Sequence, residues 1–187
     1  MAGENDSGAG AGASAPRASR GGLAWTMLTA WGDLRGGLRR FLAVRPSEAD
    51  LLMVAMLSGL FHFLGEAAKA TYLPARGVET DGDRAGLIAG LVLGSFLIRT
   101  LGLYILAVVA QLAARAAGGQ GTWRESRAAV FWAALVAAPV ALIAALGVVL
   151  AGGGAPGAAI SGVGSAAFAI ALAFSLAEAH GFRRAWV

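Results

Sequence analysis

The sequence contains no cysteine and only two histidines. Without cysteine the chain has no disulfide bond, thiolate metal site or cysteine nucleophile, and its redox compartment stays undetermined. The two histidines, His62 and His180, fall on opposite sides of the membrane in the topology predicted below, so they cannot share a metal ion. No Ser-His-Asp arrangement is suggested, and the turn "GGQG" lacks the lysine of a nucleotide-binding loop. We therefore predict no catalytic residue, no metal site and no cofactor.

Charged residues are also scarce, at 14% of 187 residues, whereas 57% are hydrophobic and the mean hydropathy is +0.67. A soluble domain carries about a quarter charged residues, so this composition favours a membrane protein. The net charge of +4 comes from arginines that flank apolar runs. Such arginines indicate membrane topology and attraction to anionic lipid better than they indicate a nucleic-acid interface. We expect contact with the lipid bilayer and no nucleic-acid partner.

The amino-terminal part divides into two segments. Residues 1–22 are small, polar and glycine-rich and lack the apolar core of a signal peptide, so they are predicted to be a disordered tail. Residues 23–44 are predicted to form an amphipathic helix on the membrane surface, although a helix packed on a soluble domain would show the same pattern and the pair Gly36-Gly37 weakens the helix. Its apolar residues recur every three or four positions, at Met27, Trp31, Leu34, Leu38 and Phe41.

Four apolar runs predict four membrane-spanning helices, over about 49–70, 85–117, 126–151 and 157–178. Ser47 is a plausible N-cap for the first. The second is longer than a bilayer requires, so it is expected to tilt, to kink near Gly102 or to protrude. The predicted fold is all-α: a multi-pass transmembrane helical bundle over 23–187 with an amino-terminal interfacial helix.

The arginines also predict the orientation. They concentrate before the first span, between the second and third, and after the fourth. The other two connections contain the acid-leaning "ARGVETDGDR" and the uncharged "GGGAPG". The positive-inside rule then places both termini in the cytoplasm.

Two opposite charges lie inside the predicted spans. Arg99 is about 24 Å from Arg115 along the second span, and Glu66 is about 24 Å from Asp50 along the first. Their matching depth predicts an intramembrane ion pair between Glu66 and Arg99. Two alternatives remain open: Arg99 snorkels outward while Glu66 meets the interface alone, or both residues take part in transport.

Small residues repeat every four positions in two spans and predict close helix packing, unless an alanine- and glycine-rich composition produces the spacing by chance. The first set is Gly86, Gly90 and Gly94, and the second is Gly157, Ser161, Ser165, Ala169 and Ala173.

The stretch "ARAAGGQGTWRESRAAVFWAALVAAPV" contains a basic helix end, a GG-x-G turn, an aromatic residue, a basic-flanked helix start and "FWA" entering a span with proline. Together with "LAEAHGF" in the next span, it resembles the bacterial branch of the Yip family (Ypt-interacting-protein domain membrane proteins). The resemblance runs from Trp25 to Phe182. It implies a small all-helical integral membrane protein; eukaryotic members are linked to Rab-type GTPases and vesicle traffic, and bacterial members have no settled activity. Members commonly have five spans, so the missing fifth suggests a short variant or a truncated chain.

The central motif has a physical interpretation. Its glycines, Gly118, Gly119 and Gly121, permit a tight reversal at the cytoplasmic face. Its aromatic and basic residues are predicted to anchor the interface: Trp123, Arg124, Arg127 and Trp132. At the end of the fourth span, Glu178 and His180 are predicted to lie within reach of Arg115, Arg124 or Arg127, or in a solvated helix end.

We therefore expect a non-enzymatic multi-pass protein of the bacterial cytoplasmic membrane. It would act through protein or lipid contacts, with a membrane-protein partner or by self-association. The alternative is a small transporter or transporter subunit with Arg99, Glu66 and His62 on a polar pathway. Such a pathway needs polar residues at several depths, and the last two spans offer only Ser161, Ser165 and Ser175.

Overall fold

The computed structural model describes residues 31–73 and 84–182, which form five helices and no strand. Four of the helices are long and apolar enough to cross a membrane, so the predicted all-α bundle with four spans is confirmed. The helices are α1 (Leu34–Ala43), α2 (Glu48–Tyr72), α3 (Arg84–Val92, a π-helical segment Leu93–Ile98, and Arg99–Ala116), α4 (Trp123–Leu150) and α5 (Gly154–Ala179). The predicted tail, residues 23–30, the connection 74–83 and residues 183–187 lie outside the described part of the chain.

Side-chain caps fix the starts of α2 and α4. Ser47, the predicted N-cap, accepts a hydrogen bond from the Asp50 amide while the Asp50 carboxylate accepts one from the Ser47 amide. Thr122 and Glu125 form the same reciprocal pair at the start of α4. Each box satisfies backbone donors that a helix start otherwise leaves unpaired.

Helix α4 is the centre of the bundle. It contacts all four other helices, and every residue from 128 to 138 is at most 5% exposed. Many of these residues are alanines, which let the neighbouring helices approach closely. The other spans keep large apolar side chains on their outer surfaces, as lipid-facing helices do.

Helix α1 does not lie flat across the end of the bundle. Arg35 stacks over the ring of Phe174, and Arg39 Nη2 lies 2.8 Å from Glu178 Oε1. Arg39 follows Arg35 by four residues on α1, and Glu178 follows Phe174 by four residues on α5, a rise of about 6 Å on each helix. Helix α1 therefore runs in the same direction as the end of α5. Ahead of α1, the Trp31 indole donates to the carbonyl of Val136, halfway along α4. The predicted helix is present over the shorter range Leu34–Ala43 and packs against α4 and α5, and its location at the membrane surface stays a prediction.

The apolar stripe of α1 is buried by protein. Leu38 is fully buried and packs with Trp132 and Val136 of α4, while Phe41 stacks on Trp132 at 5.2 Å between ring centroids. An amphipathic stripe predicts burial of one face, but it does not distinguish lipid from neighbouring helices. Here α4 and α5 provide the covering surface.

Candidate functional site

The first candidate site is the arginine-rich end of the bundle, defined here as the end where α2 and α4 begin and α3 and α5 finish. Helix α3 ends in a Schellman motif: the Gly118 amide donates to the Arg115 carbonyl and the Gly119 amide to the Ala114 carbonyl. Gly118 has φ of 84°, a left-handed conformation that glycine adopts without strain. The predicted tight reversal is therefore present at the predicted glycine.

The other two glycines of the motif make room for the end of α5. A Cβ atom on Gly121 would lie 2.6 Å from His180 Nδ1 and 2.7 Å from the Ala179 carbonyl oxygen. A Cβ atom on Gly119 would lie 3.1 Å from His180 Cβ. The loop between α3 and α4 thus packs directly against the last residues of α5. A cavity of about 680 Å³ adjoins this contact.

A buried polar cluster, Gln111, Ser126 and His180, joins α3, α4 and the end of α5. The Gln111 amide nitrogen donates to the Gly121 carbonyl at 2.9 Å, so its amide oxygen faces Ser126. The Ser126 hydroxyl donates its single proton to that oxygen, and its oxygen therefore accepts from His180 Nε2 at 2.7 Å. The three side chains are at most 3% exposed.

This geometry places a proton on His180 Nε2. Nδ1 is buried and faces no hydrogen-bond acceptor in the described structure, which favours the neutral imidazole over the imidazolium. Burial lowers the pKa of His180, and the nearby Glu125 carboxylate opposes part of that shift. A neutral imidazole that donates to a serine is a structural element, because the hydroxyl proton points away from the ring and the ring does not act as its base.

Ion pairs and arginine contacts tie the helix ends together around this cluster. Arg39 of α1 bonds Glu178 of α5, and Arg127 of α4 lies 2.7 Å from Glu48 of α2. Arg124 donates to the backbone carbonyls of Arg45 and Pro46. These contacts are partly solvent-exposed, so each contributes modestly to stability.

The second candidate site, the distal cavity, lies between α2, α3, α4 and α5 in the other half of the bundle and has a volume of about 380 Å³. Its polar lining consists of His62, Glu66, Lys69, Arg99, Ser161 and Ser165. From the arginine-rich end, α3 rises about 25 Å between Ala116 and Arg99. The structure thus brings the two predicted intramembrane charges to one cavity at a similar depth.

The predicted ion pair itself is not formed. Glu66 Oε1 lies 2.7 Å from Lys69 Nζ and 4.0 Å from His62 Nδ1. Among the described residues, no carboxylate oxygen lies within 4.0 Å of the Arg99 guanidinium. Lys69 is one helical turn from Glu66 on the same helix, so it reaches the carboxylate without bridging the space between α2 and α3.

A comparison with known protein families identifies the family of this chain. The family model described as the Yip1 domain matches residues 35–187. The chain belongs to the Yip1 domain family. Neither the curated proteins nor the solved structures give a significant match.

In this Yip1 domain the motif residues fall into two groups. Trp123 is 41% exposed, with the Arg115 guanidinium over its ring, and its role as an interface anchor stays a prediction. Trp132 is 5% exposed and packs in the interior against Phe41, so it cannot serve as an anchor at the bundle surface. Nine residues separate the two tryptophans, about 13 Å along α4, which carries Trp132 into the core.

Two of the predicted packing glycines of the Yip1 domain, Gly90 and Gly94, do not approach a neighbouring helix closely in the described chain. No heavy atom lies within 4 Å of a Cβ atom built on Gly90 or Gly94, and Gly86 is exposed. Close helix packing at Gly86 stays a prediction. On α5 the first residue of the predicted row, Gly157, is buried, and a Cβ atom on it would lie 3.2 Å from Val148 Cγ1 of α4. The other four residues of the row are exposed: Ser161, Ser165, Ala169 and Ala173. The remaining buried small residues of α5 are Gly164, Ala167, Ala171 and Ser175.

Approaches below 3.0 Å occur at glycines that the spacing did not single out. A Cβ atom on Gly59 would lie 2.7 Å from the Ser95 carbonyl oxygen, and one on Gly65 would lie 2.9 Å from Ala145 Cβ. Sequence reasoning also missed Gln111, Ser126 and Lys69. Only Lys69 carried a usable signal, its spacing of three residues from Glu66.

Proposed function

We propose that this Yip1-domain protein is a non-enzymatic multi-pass protein of the bacterial cytoplasmic membrane that acts through contacts at its arginine-rich end. The observation that carries the proposal is the way this end is built. Its buried Gln111, Ser126 and His180 side chains hydrogen-bond one another. Exposed side chains surround them, namely those of Arg40, Arg45, Arg115 and Trp123. A fixed surface of cations and an aromatic ring suits lipid headgroups or an acidic partner surface.

The internal arrangement of polar groups supports contact over transport. Ser58 of α2 is buried and donates to the Ala55 carbonyl of its own helix. Among the described residues, the larger groups of polar side chains are the buried cluster at the arginine-rich end and the lining of the distal cavity. The fully apolar part of α4 between them includes Phe131 and Leu135, each at most 1% exposed. A hydrophilic pathway needs polar or water-filled space at successive depths, and this apolar part of α4 does not supply it. A small transporter is therefore only the second candidate.

The orientation proposed for the protein places both termini in the cytoplasm. It follows from the arginine asymmetry, and reporter fusions at residue 80 and after Val187 test it. We expect the reporter at residue 80 to be active outside the cytoplasm and the one after Val187 inside. A cytoplasmic reporter at residue 80 would overturn this orientation.

Contact at the arginine-rich end is tested by photo-crosslinking in native membranes. A benzophenone amino acid replaces Trp123, which is 41% exposed, and in a matched variant it replaces Leu150, which is 89% exposed at the other end of α4. We expect defined lipid or protein adducts at position 123 in clear excess over position 150. Equal, heterogeneous labelling at both positions would contradict a specific contact surface, and turnover of a substrate by the purified protein would contradict the non-enzymatic role.

A further inference from the structure

The distal cavity has a net positive lining. Lys69 and Arg99 contribute two cations, and Glu66 contributes the single carboxylate. That carboxylate bonds Lys69 Nζ at 2.7 Å, which leaves Arg99 without a carboxylate within 4.0 Å among residues 31–73 and 84–182. A partly buried arginine is costly when nothing compensates its charge. The cavity therefore favours an anionic occupant.

The lining supplies neutral donors as well as charge. Ser161 and Ser165 of α5 line the same cavity as Arg99 of α3, one helical turn apart from each other. A guanidinium presents several N–H donors in a planar fork, and hydroxyls can donate beside it. This combination matches the oxygens of a phosphate group, which accept paired hydrogen bonds from arginine.

The backbone around Arg99 is arranged to hold that side chain at the cavity. The π-helical segment Leu93–Ile98 ends directly before it, and the Arg99 amide donates to the Gly94 carbonyl in place of the Ser95 carbonyl. The extra residue in this turn rotates the following helix relative to the preceding one. The Ser95 carbonyl instead faces Gly59 of α2, where no Cβ atom blocks it.

We propose that the distal cavity is a phosphate-binding site in which the Arg99 guanidinium binds the phosphate oxygens and Ser161 and Ser165 donate to them. The phosphate belongs either to a phospholipid headgroup or to a free phosphate ion. The site lies about 25 Å from the arginine-rich end, near the opposite headgroup level of a bilayer about 30 Å thick. The proposal does not rest on the proposed function, which concerns the other end of the bundle.

The test uses the full chain, purified in detergent and stripped of lipid. Phosphatidylglycerol, diacylglycerol and inorganic phosphate are added separately, and bound lipid is counted by native mass spectrometry while the unfolding temperature is recorded. We expect phosphatidylglycerol to bind and to raise the unfolding temperature, and diacylglycerol, which has no phosphate, to do neither. A rise with millimolar inorganic phosphate would identify free phosphate as sufficient; a rise with phosphatidylglycerol alone would identify the lipid headgroup.

Two substitutions at Arg99 and one control assign the site. Arg99→Gln should weaken binding at least tenfold, while Leu150→Gln, which introduces the same side chain at a position 89% exposed at the same end of the bundle, should leave it unchanged. Arg99→Lys keeps the charge but loses the planar fork, so binding should fall several-fold in a chain that still folds. Binding by Arg99→Lys equal to that of the unmodified chain, or equal binding of diacylglycerol and phosphatidylglycerol, would overturn the proposal.

Discussion

Replacing Ser126 by alanine should destabilise the protein far more than the loss of one hydroxyl suggests. The substitution removes the hydrogen bond to the Gln111 amide oxygen and the one from His180 Nε2. Both partners are at most 3% exposed, so bulk water does not readily replace the hydrogen bonds that they lose. The helices themselves keep their apolar contacts, because alanine retains the Cβ atom.

The expected loss of stability follows from the two groups left without a partner, the Gln111 amide oxygen and the His180 Nε2–H. Leaving a buried donor or acceptor unsatisfied costs about 1–3 kcal/mol each. The cavity beside His180 gives water partial access after relaxation, which brings the expected loss to about 2–4 kcal/mol. Polar contacts between membrane helices average about 0.6 kcal/mol in double-mutant cycles, because the denatured chain in the membrane also finds partners. A value near that average would mean that the cluster behaves like an ordinary membrane contact.

The matched control is Ser175→Ala. Ser175 is also fully buried, but its hydroxyl has no hydrogen-bond partner in the described structure. Removing an unsatisfied hydroxyl should leave stability unchanged or raise it by about 1 kcal/mol. Burial and substitution are the same in both variants, so the difference between them measures the hydrogen bonds.

The assay is the free energy of unfolding in mixed detergent micelles. Gln111→Leu, introduced alone and together with Ser126→Ala, completes a double-mutant cycle, and the combined loss should be smaller than the sum. Equal losses for Ser126→Ala and Ser175→Ala, or strictly additive losses in the cycle, would refute the reasoning.

Three further outcomes are expected. Burial lowers the pKa of folded His180 below its unfolded value of about 6.5, so the unfolded chain binds more protons and stability should be lost as pH falls from about 6.5 toward the folded pKa. His180→Gln should flatten the profile of unfolding free energy against pH, and an unchanged profile would exclude His180 as the source. Gly121→Ala should cost about 1–3 kcal/mol by overpacking against His180, whereas Gly162→Ala, with nothing within 4 Å, should be neutral or stabilising; similar effects in chemical unfolding would contradict the close approach. Gly59→Ala should displace the Ser95 carbonyl and weaken phosphatidylglycerol binding at Arg99 without changing any polar group, and unaltered binding would show that the π-helical turn does not position that side chain.

Much of the fold could be predicted from the sequence because lipid imposes strong one-dimensional constraints. A span must satisfy its own backbone hydrogen bonds and cover about 30 Å with apolar side chains, so the four runs were visible as composition and length. The glycine-rich reversal after α3 was predictable from local sequence, because Gly118 adopts a left-handed conformation that other residues rarely adopt. The cap at Ser47 follows from the residues beside it.

The sites depended on helix rotation and pairing, which hydropathy does not encode. Arg99 and Glu66 were placed at one depth by counting residues, yet Lys69 took the carboxylate because it lies one turn away on the same helix. The π-helical segment before Arg99 changes which residues of α3 face inward, and no periodic pattern marks it.

The sequence by itself therefore determined the class of protein, its four apolar helices and the turn that connects α3 to α4. Only the tertiary structure decided that α1 packs against α4 and α5, that Trp132 is internal, and that Gln111, Ser126 and His180 form one cluster. The physical reason is that spans are specified by hydrophobicity summed along the chain. Contacts between spans are specified by the angle and depth at which each side chain leaves its helix, and these are fixed only when the helices pack together.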